Sequence, residues 1–363
     1  MEIGKAIRRM GLADTYRDRH WDRAVKVTDN TVQKADPEWL EELLPALLRV
    51  PEPTSPMRYG FEVALQRLAT APGDADRTAS VRAFAAEGKA WGDVRYELPE
   101  VAEWLACTQP PEHLLAVFEA ADADDELAAC LLQETALRHD ATAASGFAAR
   151  LRAAGHPLGL LPLRPAPAEL GYSLPRYPDR LEPAWSEPGE GAPAAPGPSG
   201  LDVTVAELDW PDAQRARSAY RNWTSETETA LFRLDRPLIP ENFGASVLRA
   251  LPADSTGATV TGVRRATTAD VLRTLFAGAT SGGAYGRRMY GAYARRPSWE
   301  SLAALAGVQE TDLGAIERAA DRCDWLFYTS DWHMRVVPPL DVGIVGLRAD
   351  RRTVAVLAVT DSD

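Results

Sequence analysis

Residues 341–361 read DVGIVGLRADRRTVAVLAVTD, two runs rich in β-branched and aliphatic residues separated by a short polar stretch. Such runs are typical of β-strands, and the short polar connection predicts a β-hairpin. A hairpin makes its strands antiparallel neighbours, so the surrounding sheet should be mixed or antiparallel and not fully parallel. We expect the hairpin, roughly residues 342–347 and 354–360, to lie in the core of its domain.

Upstream of the hairpin, from Leu201, the apolar period alternates between two and 3.6 residues. Further strands are predicted at LDVTVAEL (201–208), TETALFRL (227–234), ATVTGV (258–263) and WLFYTS (325–330). Helices are predicted at 212–220, 268–276, 288–295, 298–306 and 313–323, with a short helix or strand at 243–251. Residues 201–363 are therefore expected to form an α+β domain with a mixed or antiparallel sheet.

The N-terminal part, residues 1–155, is expected to be an all-helical domain. Its apolar residues recur at helical spacing in segments separated by Pro, Gly and Asp. These segments cover 37–49, 56–68, 78–91, 99–107, 111–120, 124–139 and 142–154. The pattern fits either an irregular helical-repeat stack or a compact bundle, and the sequence does not separate the two.

Between these parts, residues 156–200 are rich in Pro and Gly and end in EPAWSEPGEGAPAAPGPSG (182–200). The segment has no periodicity and few apolar side chains, so it predicts a linker that is exposed and mobile, above all over 181–200.

Charge and composition narrow the class of partner. The formal net charge is −12, and apolar residues make up 45% of the chain. An acidic balance disfavours nucleic acid and anionic membranes, which proteins bind through excess Lys and Arg. The N-terminus lacks the apolar run of a signal peptide, and no later stretch predicts a membrane span, so we expect a cytoplasmic protein.

Cysteine and lysine usage exclude several chemistries. The three cysteines are widely spaced and form no CxxC pair, so we predict neither disulfides nor a metal site. No lysine follows Lys89, which excludes Schiff-base chemistry and a phosphate-binding lysine in the C-terminal domain. No cofactor is predicted.

The first candidate site is the segment Gly278–Arg288, GATSGGAYGRR, expected between two helices. The N–H groups at Gly282 and Gly283 could converge on an anion, and Arg287 and Arg288 could complete the site. The segment matches neither a dinucleotide fingerprint nor a Walker A motif. The alternative is an interhelical loop whose glycines adopt positive φ.

The second candidate is Asp331 and His333 in TSDWHMR (329–335). In an extended chain Asp331, His333 and Arg335 would point the same way, so the carboxylate could orient the imidazole as a general acid or base. The alternative is a polar rim at the end of a strand.

A third feature is the density of Tyr, Trp and Arg between Tyr285 and Trp332. These residue types are enriched in protein interfaces, which favours a protein-binding face. Core packing and stacking of Arg on aromatic rings would use the same residues.

Two stretches, GGAYGRRMYGAYARRPSWESLAAL (282–305) and DWLFYTSDWHMRVVPPLDVGIVGLRADRRTVAVLAVTDSD (324–363), resemble an actinobacterial-type family defined as a domain of unknown function. The resemblance covers mainly the C-terminal half. It implies no activity and assigns no catalytic residue to this sequence.

The leading hypothesis is a bacterial, cytoplasmic, non-enzymatic protein that binds a protein partner, as an immunity or antitoxin-like protein would. The rival hypothesis is an enzyme that holds an anionic small molecule at Gly278–Arg288 and uses Asp331 and His333 as acid–base groups. The rival requires both segments to line one concave pocket.

Overall fold

The computed structural model describes residues 1–177, 189–194, 203–224, 226–257, 259–334 and 341–361. The chain forms two compact units. The first contains residues 1–164 and the described residues 175–177, and the second contains residues 165–174 and the described residues from 189 onward. A short piece of the predicted linker therefore belongs to the second unit.

The first unit is helical, as predicted. Its α-helices, in chain order α1 to α9, are Ile3–Met10, Trp21–Val27, Pro37–Leu48, Ser55–Thr70, Ala75–Ala90, Leu98–Thr108, Pro111–Ala120, Glu126–Arg138 and Ser145–Ala153. Asp36, Asp74 and Asp125 cap α3, α5 and α8, each accepting a backbone N–H with its side chain. Such caps satisfy donors that the first helical turn leaves free.

The helices of the first unit pack in a regular order. Along the chain, α3 contacts α5, α4 contacts α6, α5 contacts α7 and α6 contacts α8, in addition to contacts between successive helices. Contacts between helices two apart are compatible with an irregular helical-repeat stack and with a compact bundle, the two arrangements that the sequence also allows. Helix α8 is the most enclosed, with every residue from Leu127 to Leu137 buried.

The second unit contains a seven-stranded sheet in the order β1-β4-β5-β6-β7-β3-β2. The strands are β1 Ala192–Pro193, β2 Val205–Leu208, β3 Glu226–Leu234, β4 Thr261–Ala266, β5 Asp324–Thr329, β6 Asp341–Leu347 and β7 Thr353–Thr360. Every neighbouring pair is antiparallel. The predicted hairpin is confirmed as β6 and β7, with Val345 opposite Val356.

Both faces of the hairpin are covered. All residues of β7 are buried, and Val354, Val356 and Ala358 share one apolar cluster with Val247 and Leu248. On the opposite face, helix Tyr290–Ala306 packs against β7. A strand buried on both faces reads as a nearly continuous apolar run, which explains the sequence VAVLAV.

The helices of the second unit are α10 Ala213–Ala216, α11 Ala245–Ala250, α12 Asp254–Gly257, α13 Thr268–Ser281, α14 Tyr290–Ala306 and α15 Leu313–Ala320. Helix α14 joins the two helices predicted at 288–295 and 298–306, with Pro297 inside it. Proline disfavours a helix interior because it lacks an N–H, but the burial of Pro297 and Trp299 offsets that loss.

Parts of the segment predicted as a linker have defined structure. Residues Pro157–Leu160 and Pro167–Gly171 form 3₁₀ helices, and β1 pairs with β4. The expectation of a mobile stretch over 181–200 concerns residues 181–188 and 195–200, which lie outside the described residues.

Within the described part of the chain, no helix combines the length and the apolar composition needed to cross a bilayer.

Candidate functional site

The glycine-rich segment begins inside a helix and not in a loop. Helix α13 continues to Ser281, and Gly282 caps it in the left-handed conformation (φ 73°), donating its N–H to the Gly278 carbonyl. Gly283 is also left-handed (φ 71°), and its N–H donates to Ser281 Oγ. Both glycines are buried. Positive φ is thus the local reason for this pair of glycines.

The next N–H of this turn already binds an anion that the chain itself supplies. The Ala284 N–H donates to Asp361 Oδ2 over 2.6 Å, and Asp361 directly follows β7 and is only 5% exposed. A Cβ on Gly283 would collide with that carboxylate and touch the Trp223 ring. The position predicted for an external anion is therefore filled by a side chain of the same unit.

The two arginines of the predicted anion site have different environments. Arg288 donates from Nε to the Thr280 carbonyl at 3.1 Å and lies 4.7 Å over the Tyr290 ring. Arg287 has an exposed side chain, and its backbone carbonyl accepts from the Asn222 amide. Arg288 ties the turn to the end of α13, whereas Arg287 faces solvent.

His333 lies in a turn just beyond β5. Its Nδ1 accepts the Ser330 N–H at 3.1 Å, with Ser330 Oγ 3.2 Å away, and the Trp332 and Tyr328 rings meet it edge-on at 5.2 and 5.7 Å. The residue is 4% exposed. Burial lowers the pKa of His333, against the opposing influence of the Val342 backbone and of Asp341. Because Nδ1 accepts a backbone N–H, the neutral imidazole carries its proton on Nε2, which is buried.

Asp331 does not approach the imidazole of His333. The backbone turns after Thr329, with the His333 N–H bonded to the Ser330 carbonyl, so the expected alternation of an extended strand is absent. The exposed Asp331 carboxylate instead accepts the Thr259 N–H at 3.3 Å. Arg335, the third residue expected on that side, lies outside the described residues.

Two consecutive residues at the end of β7, Thr360 and Asp361, bond to the two different candidate sites. Thr360 Oγ1 accepts the Met334 N–H at 2.9 Å, on the side of His333, whereas Asp361 binds the Ala284 N–H. Since adjacent side chains of a strand point to opposite faces, the His333 turn and the glycine turn lie on opposite faces of the same sheet end. The two candidate segments therefore do not share one face of the sheet.

Sequence reasoning missed a buried ion pair in the second unit. Arg295 donates from Nε and Nη2 to the two carboxylate oxygens of Glu169, both at 2.7 Å, and Trp299 Nε1 adds a bond of 2.8 Å. The Glu169 and Arg295 side chains are fully buried. No local signal marks Glu169, because it lies in a Pro-rich stretch, 126 residues from its partner.

A second missed group surrounds His333. Ser255 Oγ and Tyr328 OH are 2.6 Å apart, and Ser330 Oγ donates to the Ser255 carbonyl. The Glu228 carboxylate accepts the N–H groups of Asp254 and Ser255. These bonds tie the His333 turn to α12 and β3, so His333 is one member of a buried polar network.

The described residues contain no group of three or more His, Cys, Asp or Glu side chains placed to hold a metal ion. The three cysteines are free thiols, and burial raises the pKa of Cys323 to about 11. A thiol so protonated is a poor nucleophile at neutral pH.

No curated protein and no solved structure matches the chain. A protein-family comparison does match, over residues 22–363, and so includes helices of the first unit as well as the whole sheet. The similarity is therefore not confined to the C-terminal half. On this match, the chain belongs to a family of unknown function (DUF6183).

Proposed function

We propose that this is a cytoplasmic, non-enzymatic protein that binds a protein partner through the end of the sheet where β7 finishes. The observation that carries the proposal is that the polar groups at this sheet end are bonded or buried inside the unit, whereas large side chains beside them are exposed. The Ala284 N–H and His333 Nδ1 are bonded internally and His333 Nε2 is buried without a partner among the described residues, while Tyr285, Arg287 and Met334 remain exposed. We call these three residues the sheet-end surface; Tyr285 and Arg287 lie beside the glycine turn on one face of the sheet and Met334 on the other, so the partner must cover the sheet end across both faces.

The sheet-end surface has the composition and the support of a binding site. Tyr285 is 69% exposed and Met334 60% exposed, and the backbone beside them is bonded to the end of β7 through the Ala284 and Met334 N–H groups. Tyr, Arg and Met are enriched in protein interfaces, and rigid placement lowers the entropy lost on binding. The interface interpretation does not extend to Arg295 and Trp299, which are core residues.

Charge favours a basic partner. The net charge of −12 would attract a positively charged protein over long range and speed its association, while Arg287, the charged member of the sheet-end surface, would face an acidic or aromatic group of that partner. An immunity or antitoxin-like role fits this chemistry by analogy. The enzyme alternative has less support, because its two parts lie on opposite faces of the sheet and its anion position holds Asp361.

The test uses basic proteins encoded beside this gene, each purified and titrated against the full chain by calorimetry. The double variant Tyr285→Ala/Met334→Ala should bind at least about 30-fold more weakly, the effect of removing about 2 kcal/mol of anchor contacts. Its melting temperature should equal that of the parent. The matched control is Ile239→Ala, which truncates an apolar side chain that is 61% exposed elsewhere in the same unit.

Parental affinity in the double variant would overturn the sheet-end proposal. So would an enzymatic activity that His333→Ala abolishes while the melting temperature stays unchanged.

A further inference from the structure

The helical unit contains a cavity that the proposed function does not use. It has a volume of about 210 Å³ and lies between α2, α4 and the loop after α5. Its walls include Trp21, Tyr59, Arg58, Arg95, Glu62 and Asp93. The volume is smaller than the roughly 300–1,000 Å³ of pockets for drug-sized ligands, which favours a small occupant.

Arg58 has an unused hydrogen-bond donor at this cavity. Its Nε is buried and donates to no atom of the described residues. Its Nη1 pairs with Asp93 Oδ2 over a long 3.3 Å, and the Asp93 side chain is 86% exposed. Because Nε is enclosed by protein, a ligand carboxylate would bind the outer Nη groups of Arg58, whose long contact with the exposed Asp93 it could replace by a charge-assisted bond.

Glu62 supplies the opposite charge and is held in place. Its Oε1 accepts the Arg95 N–H at 2.5 Å, and burial raises the pKa of this carboxyl group. A carboxylate that burial makes unfavourable gains from a nearby cation.

The loop that completes the cavity contains a strained residue. Asp93 is left-handed (φ 55°) although it is not glycine, and it follows Gly92, which is also left-handed (φ 68°). Such a conformation costs a non-glycine residue about 1 kcal/mol or more. The strained backbone places the Asp93 carboxylate at the cavity, opposite Arg58.

We propose that this cavity binds a free α-amino acid with an apolar side chain. Its carboxylate would bind Arg58, its ammonium group would bind Glu62 and Asp93, and its side chain would lie against Trp21 and Tyr59. The two arginines and two carboxylates at the walls favour a ligand that carries both charges. A simple anion would meet Glu62, and a simple cation would meet Arg58.

The probe is L-phenylalanine, with 3-phenylpropionate lacking the ammonium group and phenylalaninamide lacking the carboxylate. Leucine, methionine and tryptophan extend the panel. Calorimetry and thermal melting of the full chain should show binding of at least one amino acid. Each of the two analogues, which lacks one charged group, should bind at least about tenfold more weakly than L-phenylalanine, a difference of 1.4 kcal/mol.

Two variants test the assignment of charges. Arg58→Gln and Glu62→Gln should each weaken binding at least about tenfold. Glu62→Gln keeps an acceptor for the Arg95 N–H, so it remains informative if Arg58→Gln fails to fold. Arg8→Gln, at an exposed arginine of α1, should bind as the parent does.

Three results would overturn the proposal: no amino acid of the panel binds at 10 mM, on the order of the weakest affinities that calorimetry resolves; 3-phenylpropionate binds as tightly as phenylalanine; or a folded Glu62→Gln variant keeps parental affinity.

Discussion

Two carboxylates of the second unit, Glu169 and Asp361, can be compared directly, because each fills a position that the sequence left open. Glu169 comes from a stretch predicted as linker and is buried against Arg295 and Trp299. Asp361 follows the last strand and occupies the turn predicted for an external anion. The first binds a buried charge, and the second binds a neutral backbone N–H.

That difference predicts unequal energetic roles. Removing Glu169 leaves a guanidinium buried without its partner, which is among the most destabilising changes a core can suffer. Removing Asp361 leaves a single backbone N–H, which water or a small anion can satisfy at the partly exposed Ala284. Glu169 therefore belongs to an ion pair that the fold requires, whereas water or a small anion could take the place of the Asp361 carboxylate.

The largest effect is expected for Glu169→Ala. Because Arg295 is fully buried, the variant should lose about 3–5 kcal/mol of unfolding free energy in urea titrations. Glu310→Ala, which removes an exposed carboxylate of the same unit, should change stability by less than about 0.5 kcal/mol. A loss below about 1 kcal/mol for Glu169→Ala would mean that the buried ion pair contributes no more than an exposed one.

A further variant sharpens the result. Glu169→Gln keeps the shape and one acceptor but not the charge, so its loss should fall between those of the parent and the alanine variant. If Glu169→Gln lost as much unfolding free energy as Glu169→Ala, the whole effect would come from the charge of Glu169.

The second expected effect is at Gly283. Gly283→Ala forces a left-handed alanine and pushes its Cβ into Asp361, so it should cost about 2–3 kcal/mol. Gly155→Ala is the control, because Gly155 has φ 76° but open space around its Cβ position, and should cost only about 1 kcal/mol. Equal losses in the two variants would mean that the contact with Asp361 contributes nothing.

Features that depend on residues close together in the sequence could be predicted, and features that depend on distant residues could not. Helices, strands and the β6–β7 hairpin were predictable because periodicity and turn residues act over a few positions. The N–H groups of Gly282 and Gly283, predicted to converge on an anion, bond instead to Gly278 and Ser281, and the N–H that meets a carboxylate is that of Ala284. That contact was not predictable, because Asp361 lies 77 residues from Ala284 and nothing local links the two.

The same reasoning explains the other differences. Glu169 looked like part of a linker because its neighbours are Pro, Ala and Gly, and only the folded unit shows its partner. The alignment of Asp331 with His333 assumed an extended chain, whereas the backbone turns after Thr329. Pro297 suggested a helix break, but burial on the sheet outweighed the local preference.

A third, smaller effect tests whether Asp361 is replaceable. Asp361→Ala should cost about 1–2 kcal/mol, the contribution of one charge-assisted hydrogen bond and its packing. Inorganic phosphate should then raise the melting temperature of this variant more than that of the parent, because the Ala284 N–H becomes available to it. An equal phosphate response in both proteins would show that the turn is not an anion site even when emptied.

The smallest change in unfolding free energy at neutral pH is expected for His333. Unlike Glu169 and Asp361, His333 is buried in its neutral form. Burial lowers its folded pKa below the ordinary 6.5, so the unfolded chain binds more protons between these two values. Stability should therefore fall as the pH drops below 6.5 and level off beneath the folded pKa. One such group contributes a slope of at most about 1.4 kcal/mol per pH unit.

The informative variant is His333→Asn, whose Oδ1 can accept the Ser330 N–H in place of Nδ1 but does not titrate. Its stability should depend less on pH than that of the parent between pH 6.5 and 5, measured by urea unfolding. His139 also has a pKa lowered by burial, so part of the slope should remain. Asp331→Asn should match the parent within about 0.5 kcal/mol at every pH, because Asp331 is exposed and bonded only to a backbone N–H. An Asp331→Asn variant that reproduced the pH profile of His333→Asn would mean that the two side chains interact. The enzyme alternative, which requires Asp331 to orient His333, would then gain support.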